Sequence, residues 1–345
     1  MREHFRIPLF VLASVICLLP ASFSANDFNI SARIVNTNTV RIDFNSLTKT
    51  KGTELILLRS TAKLANSKVN KIRYPVTEFL IDSTQNPLAF LDQYTAHNVT
   101  YFYLAFTRKK GQTKAIDTSN PVEISIPNSS IKELDDPVIL IDKKHYYLEI
   151  QNNGKTAKKY PMSLGRDPFT RKLHQDNKTT PEGLYKIINL QKKATFYKAI
   201  DINYPNTLDR IRYNSMRANG QIPNGRGIGG EIQIHGKHPR FGSIQRNWTW
   251  GCISLRNADM DEIFSLSGLK VGIPVIIFGH ELTLEEAKSQ EGIKGYAGNK
   301  FLVAKFGSLV KLTPSLISPA SSPGEGMCVM WTSHPLNSSS LANAI

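Results

Sequence analysis

Between residues 27 and 128 apolar and polar residues alternate in runs too short for anything but strands. They include Ile30-Ser31-Ala32-Arg33-Ile34 and Val40-Arg41-Ile42-Asp43-Phe44, then Leu55 to Arg59, Tyr101 to Phe106 and Val122 to Ile126. A period of two sends alternate side chains to opposite faces of a pleated strand, so one face can be buried while the other meets water. Turns rich in Gly, Asn and Lys separate the runs, and helical spacing is nearly absent. This segment is therefore expected to be an all-β sandwich. Tyr101 and Tyr103 read as packing residues within it.

A polar, turn-rich stretch at 129–136 reads as a linker. A second β-rich unit, residues 137–280, opens on Val138-Ile139-Leu140-Ile141 and closes on Ile273-Pro274-Val275-Ile276-Ile277-Phe278. Its one good helix is expected just after Cys252. Asn257 can cap that helix, Asp259, Asp261 and Glu262 suit the positive end of its dipole, and Gly268 can stop it. Met260, Ile263 and Phe264 form its apolar face. Residues 281–345 read as a polar, poorly ordered tail: 282–294 could form a polar helix, and Ser315 to Glu325 is rich in Ser, Pro and Gly.

The 345 residues suffice for two ordinary domains, and 41% apolar with 21% charged residues is a globular balance. The formal charge of +15 calls for an anionic partner, which could be nucleic acid, lipid or an acidic wall polymer. Residues 137–280 hold 22 Lys+Arg against 11 Asp+Glu, so most of the excess lies on the second unit. No zinc-finger spacing, RNP signature or long basic run supports nucleic acid. Arg2 and Arg6 precede an apolar run from Ile7 to Leu19, then Pro20 and the small residues Ser22 and Ser24, the order of a secretory signal over residues 1–24. That run is short for the roughly 20 apolar residues of a membrane span. Export to the periplasm or cell wall is expected, with no stable span. Loss of the signal would remove Cys17 and leave Cys252 and Cys328, too few for a disulfide framework.

One constellation carries chemistry. Ile232-Gln233-Ile234 is a strand that ends in His235-Gly236, and Trp248-Thr249-Trp250-Gly251-Cys252 leads into another at Ile253. A thiol with a pKa of about 8.5 is only a few per cent thiolate at neutral pH. A nearby imidazole can take its proton and later protonate the leaving amine. Gly251 leaves the backbone open for amides that stabilise an oxyanion. Taken alone, the pair is better described as a core cysteine beside a satisfied histidine. His145, His174 and His280 stand isolated, and His238 lacks the further ligands of a metal site. Gly225-Arg226-Gly227-Ile228-Gly229-Gly230 is followed by a strand, not a helix, so a loop beside the site fits better than a phosphate cradle.

The surroundings of Cys252 decide between these readings. Over residues 137–279 the chain resembles the L,D-transpeptidase (YkuD-type) catalytic domain. The resemblance runs through Ser163-Leu164-Gly165, Thr180-Pro181-Glu182-Gly183, Tyr204-Pro205-Asn206, Ile234-His235-Gly236, Gly251-Cys252-Ile253 and Gly272-Ile273-Pro274, in that order. It implies Cys252 as nucleophile and His235 as base, with the Gly236 carbonyl orienting the imidazole and the Gly251 and Cys252 amides as oxyanion donors. It further implies a thioester formed on a peptidoglycan tetrapeptide stem and resolved by an amine of a second stem, without metal or organic cofactor. Residues 90–127 resemble, in pattern, the second half of a fibronectin type III domain.

Two positions depart from the family pattern. Trp250 stands where many relatives have histidine, and Ser254 where many have arginine. Trp250, Ser254 and Arg256 are the candidate substrate contacts; Arg256 fits either a stem carboxylate or a solvated edge. The leading expectation is an exported L,D-transpeptidase acting on stem peptides, its basic surface drawn to anionic wall polymer. The alternatives are hydrolysis of the same bond, as a carboxypeptidase or endopeptidase, and an inactive wall-binding protein.

Overall fold

Val40, Ile42 and Phe44 lie on one face of a strand and are buried together, as their spacing requires. That strand is β2 (Thr39–Asn45), between β1 (Asn29–Asn36) and β5 (Ala89–Asp92) in an antiparallel sheet. A second antiparallel sheet has the order β4 (Val76–Ile81), β3 (Thr53–Ser60), β6 (Val99–Lys109), β7 (Ala115–Thr118), with β8 (Val122–Ile126) also on β6. One core joins the two sheets: Ile30, Val40 and Ile42 meet Leu55, Leu57, Phe79, Tyr101 and Tyr103. Strand β3 does not alternate, because its other face is covered as well. Ile56 and Leu58 pack with Leu64, Val76, Leu104 and Phe106. The computed structural model describes residues 28–45, 52–64, 71, 73–84, 88–237 and 243–290, plus the backbone of 301–302 and 310–311. The expected signal and most of the expected tail lie outside these residues.

The second unit is one eight-stranded sheet. Its order is β11 (Lys155–Pro161), β10 (Tyr147–Asn152), β9 (Pro137–Asp142), β16 (Pro274–Phe278), β12 (Gly183–Ala194), β13 (Tyr197–Ile202), β14 (Gln233–His235), β15 (Ile253–Ser254). Only the β9–β16 and β14–β15 pairs are parallel. Leu148 and Tyr160 from one end share a core with Ile234 and Ile253 from the other, so the sheet curls over on itself. The expected helix is present as α2 (Asn257–Ser265), burying Met260 and Ile263. Its cap residue is Arg256, not Asn257, whose Oδ1 instead accepts from the Lys237 N–H at 3.0 Å.

One further helix modifies the expectation of a single one, and another falls where a polar helix was expected at 282–294. Helix α1 (Thr207–Ala218) buries only Asp209 and Tyr213, so it has no apolar stripe to read; the reciprocal Asn206–Asp209 capping box fixes its start. Helix α3 (Leu284–Ser289) lies in the stretch expected to be a tail. Leu282 and Ala287 pack there against Leu140, Leu184 and Ile276, so the ordered second unit reaches residue 290.

The two units share a dense boundary. Arg59, on β3, is fully buried and places Nη1 2.8 Å from each Asp92 oxygen. Its Nη2 donates to the His145 carbonyl at 2.6 Å, which belongs to the turn after β9. The Tyr94 ring stacks on His145 at 3.7 Å between centroids, and Tyr147 joins the sandwich core. His97 N–H donates to the Lys159 carbonyl at 3.1 Å, and Lys159 Nζ to the Gln93 carbonyl at 2.9 Å.

Candidate active site

His235 ends β14, and β15 runs parallel beside it with Ile234 opposite Ile253 and His235 opposite Ser254. Leu255 N–H closes the register by donating to the His235 carbonyl at 2.9 Å. Cys252, one residue before β15, is thereby fixed at the open end of the same strand pair. On the far side, Ser163 and Ser254 exchange both backbone bonds at 2.9 Å, and the Leu164 carbonyl accepts from Trp248 and Thr249. The Ser163-Leu164-Gly165 motif is thus the strand-like rail along which the cysteine segment lies.

Glycine is required where these segments touch. A Cβ on Gly165 would stand 2.2 Å from the Lys178 carbonyl, and one on Gly251, whose φ is +130°, 2.6 Å from that of Thr179. A Cβ on Gly236 would meet Asn257 Oδ1 at 2.6 Å and the Phe196 carbonyl at 2.9 Å. These close approaches explain why the motif positions hold residues without side chains.

His235 Nδ1 lies 2.6 Å from the Gly236 carbonyl, the geometry of an Nδ1–H donor. That bond leaves Nε2 as the ring's remaining basic nitrogen. Ser254 Oγ donates to the same carbonyl at 3.4 Å. Phe196 and Trp248 flank the imidazole, with ring centroids 4.8 and 5.6 Å away. Burial among these rings lowers its pKa from 6.5 to about 4, against the opposing pull of the Gly236 carbonyl.

Burial likewise pushes the Cys252 thiol up to about 11, while the Gln233 N–H and the charge of Lys172 pull it partly back. Sγ donates to the Glu231 carbonyl at 3.4 Å. Thiol and imidazole are both neutral in the resting protein. Of the two amides expected as oxyanion donors, Gly251 N–H is engaged with Thr249 Oγ1 at 3.2 Å, and Thr249 Oγ1 itself donates to the Cys252 carbonyl at 2.7 Å.

The three candidate substrate contacts separate. Trp250 is 58% exposed beside the thiol, with Lys178 Nζ 5.4 Å from its ring centroid. Ser254 is buried beneath the imidazole. Arg256 is committed elsewhere: Nε and Nη2 each donate to Asp259 at 2.7 Å, and Nη1 reaches the Asn98 carbonyl of the sandwich. The loop 225–230 leads into Glu231, whose carbonyl accepts from the Cys252 thiol, and is pinned by Gln175 N–H on the Gly227 carbonyl at 2.8 Å and by the Arg226–Asp176 ion pair.

Four residues at the site were not singled out as functional from the sequence. Phe196 and Trp248 make the aromatic wall, and Asn247 and Lys172 are buried polar groups. Asn247 Oδ1 accepts from Leu164 N–H at 3.2 Å and Nδ2 donates to Tyr146 OH at 3.1 Å. Both ends of the Asn247 amide are therefore occupied. His238 lies outside the described residues. Among the described residues no three His, Cys, Asp or Glu side chains converge on a metal position, and no helix is long and apolar enough to cross a membrane.

Residues 136–277 match the YkuD family, described as the L,D-transpeptidase catalytic domain. No curated protein matches the chain. Among solved structures it is similar to an L,D-transpeptidase of Xylanimonas cellulosilytica at 16% identity and a TM-score of 0.28, covering 44% of this chain and 64% of that one. It is similar to the helical cell shape determining protein Pgp2 of Campylobacter jejuni at 23% identity and a TM-score of 0.33, covering 44% and 51%. The catalytic domain of an E. faecium L,D-transpeptidase shows 17% identity and a TM-score of 0.27, covering 42% and 98%. This chain spans less than two thirds of the length of the first two.

Proposed function

With residues 136–277 matching the L,D-transpeptidase catalytic domain of the YkuD family, we propose that this chain is an exported L,D-transpeptidase acting on peptidoglycan stem peptides through a thioester on Cys252. The observation that carries the reading is the ordered imidazole. His235 Nδ1 is tied to the Gly236 carbonyl at the strand end beside Cys252, which reserves Nε2 for proton transfer.

The chemistry follows from a neutral pair. As Sγ attacks the carbonyl of the donor stem, its proton passes to His235 Nε2, and a C–S bond replaces the C–N bond to the terminal D-amino acid. The imidazolium then protonates the leaving amine. The amine of a second stem attacks the thioester, loses its proton to the same nitrogen and releases the thiol. The Cys252 N–H is the amide proposed to hold the developing oxyanion, since Gly251 N–H already has an acceptor. The basic surface of the second unit is proposed to attract anionic wall polymer. The all-β unit at 28–126 is proposed to be fibronectin type III-like, with a scaffolding role toward the cysteine segment.

Incubation with tetrapeptide muropeptides should release D-Ala and give cross-linked dimers, and Cys252→Ala should abolish both. Release that survives Cys252→Ala sinks the assignment. Trimmed stems without dimers assign the same thioester to hydrolysis, and sacculus binding without turnover makes the chain a wall-binding protein.

A further inference from the structure

Four lysines are buried among the described residues, and three have a carboxylate within ion-pair distance. Lys143 pairs with Glu182 at 2.9 Å, Lys158 with Glu262 at 2.5 Å and Lys159 with Glu149 at 3.8 Å. Lys172, 5% exposed, has none. A buried ammonium without a counter-charge is costly, so the fold has a reason to keep it.

The local hydrogen bonds sharpen the vacancy. Lys172 Nζ stands 3.5 Å from the side-chain amide of Asn177. That amide is best satisfied with its oxygen accepting from Leu173 N–H at 2.9 Å and its nitrogen donating to the His174 carbonyl at 2.8 Å. In this orientation the atom facing Lys172 is the amide nitrogen, a donor. The backbone is held firmly meanwhile: Arg212 Nη1 donates to the Lys172 carbonyl at 2.9 Å. Among the groups that favour its ammonium, Cys252 as a thiolate weighs first, ahead of Asp176, which is already paired with Arg226. Of the four buried lysines, the one lacking a carboxylate is the one whose segment lines the cysteine loop, with Lys178 Nζ over the Trp250 ring and the Thr179 carbonyl against Gly251.

We propose that Lys172 receives the carboxylate of the substrate next to the scissile bond, the C-terminal carboxylate of the D-amino acid that leaves. This specificity rests on the proposed reading of the site as a stem-peptide acyltransferase. A cation at that place selects donors that end one residue after the attacked carbonyl, and it disfavours donors whose following residue is amidated or extended.

The test separates carboxylate recognition from turnover. The full chain is alkylated with iodoacetate, which carries a carboxylate, and with iodoacetamide, its neutral counterpart; in both, Cys252 thiolate displaces iodide to form a thioether. Peptide mapping isolates the Cys252 adduct from those of Cys17 and Cys328. Lys172→Met should lower the iodoacetate-to-iodoacetamide rate ratio about tenfold, the scale of one charge-assisted hydrogen bond, and Lys172→Arg should keep it. In the unaltered protein, D-alanine should protect Cys252 and D-alaninamide should not. An unchanged ratio in Lys172→Met, with both rates falling together, overturns the proposal and leaves Lys172 as a modulator of the thiol alone. Equal protection by the two ligands overturns it without any variant. If alkylation shows the selectivity but tetrapeptide stems are not turned over, the carboxylate site stands and the functional reading falls.

Discussion

The backbone N–H of Asn247 donates to the Arg73 carbonyl at 2.8 Å, so the sandwich grips the segment five residues before Cys252. Thr61 Oγ1 on the Ile244 carbonyl and Gln245 Nε2 on the Thr61 carbonyl add to this grip, and Arg256 on Asn98 repeats it on the other flank. The cysteine is thus positioned from both units. Replacing Asn247 by Ala leaves Leu164 N–H and Tyr146 OH short of a partner inside the protein. Each such loss costs about 1–3 kcal/mol. Asn247→Ala should therefore lower unfolding stability by about 2–4 kcal/mol and slow alkylation of Cys252 in the fraction that remains folded, measured by denaturation and by mass spectrometry.

A neutral thiol–imidazole pair has a pH signature on both sides. The folded state holds His235 near 4, below its ordinary 6.5, so its contribution to stability is complete above pH 6.5 and is lost as pH falls toward 4. The loss is at most about 3.5 kcal/mol, from 2.5 units at about 1.4 kcal/mol each. His280, also held near 4 by burial and by Lys143, acts in the same window. His235→Gln should remove part of the acid-side fall in Tm and leave the part due to His280. On the alkaline side Cys252 favours the fold as a thiol, an advantage lost as pH rises from 9 to 11. Its iodoacetamide rate should keep climbing beyond pH 9; a plateau between pH 6 and 8 would reveal an ion pair instead.

Strands wet on one face were readable from alternation, as at Val40, Ile42 and Phe44; β3, covered on both faces, was readable only as a short apolar run bounded by turns. The family match over 136–277 was readable because the motifs around Cys252 and His235 keep a fixed order. What stayed hidden depends on contacts distant in sequence. Leu282 and Ala287 look like residues of a polar tail until Leu140 and Ile276 are seen to cover them. Helix α1 has no apolar stripe, only a cap. Lys172 is one of many lysines, and nothing in its neighbours says that it alone is buried without a carboxylate. Arg256 looked free for substrate, but Asp259, three residues on, was in plain sight as its partner.

Arg59 and Asp92 make the buried ion pair at the boundary between the units, with Tyr103 OH also on Asp92 at 2.8 Å. Removing the cation alone strands the carboxylate, which costs about 3–5 kcal/mol, whereas removing both charges costs far less. Arg59→Met should be markedly less stable than the double variant Arg59→Met/Asp92→Leu. Both lose the bond to the His145 carbonyl, so any shared loss of Cys252 reactivity reports the boundary and not the charge. Urea denaturation with parallel alkylation separates the two effects.

Gly236→Ala tests the imidazole's anchor. The added methyl would press on Asn257 Oδ1 and the Phe196 carbonyl, and either relief moves the Gly236 carbonyl away from His235 Nδ1. The expected result is a kcat lowered by two orders of magnitude or more, in the range general for a lost acid–base group of about 10²–10⁴. The far-UV spectrum should be retained. An active Gly236→Ala protein would show that the tautomer is held by something other than this carbonyl.

If Cys252 carries the proposed thioester, Trp250 is placed to influence what reaches it. It is exposed beside Cys252, its indole covered on one side by Lys178 and open on the other, so its side chain adds little to the fold. Substitution at such a surface site shifts stability by about 0.5 kcal/mol or less. A large apolar plane next to an acyl-enzyme sheds water and offers a stacking surface to an incoming stem. Trp250→Ala should therefore leave Tm and Cys252 alkylation nearly unchanged while raising the yield of trimmed stems over cross-linked dimers. Trp250→His, which restores the residue common at this position in the family pattern, should act differently if a second imidazole assists the amine, by raising dimer yield at pH above its own pKa. The product ratio from a single muropeptide mixture reads both outcomes. Equal ratios in all three proteins would remove Trp250 from the partition and leave the choice of acceptor to other groups around the thiol.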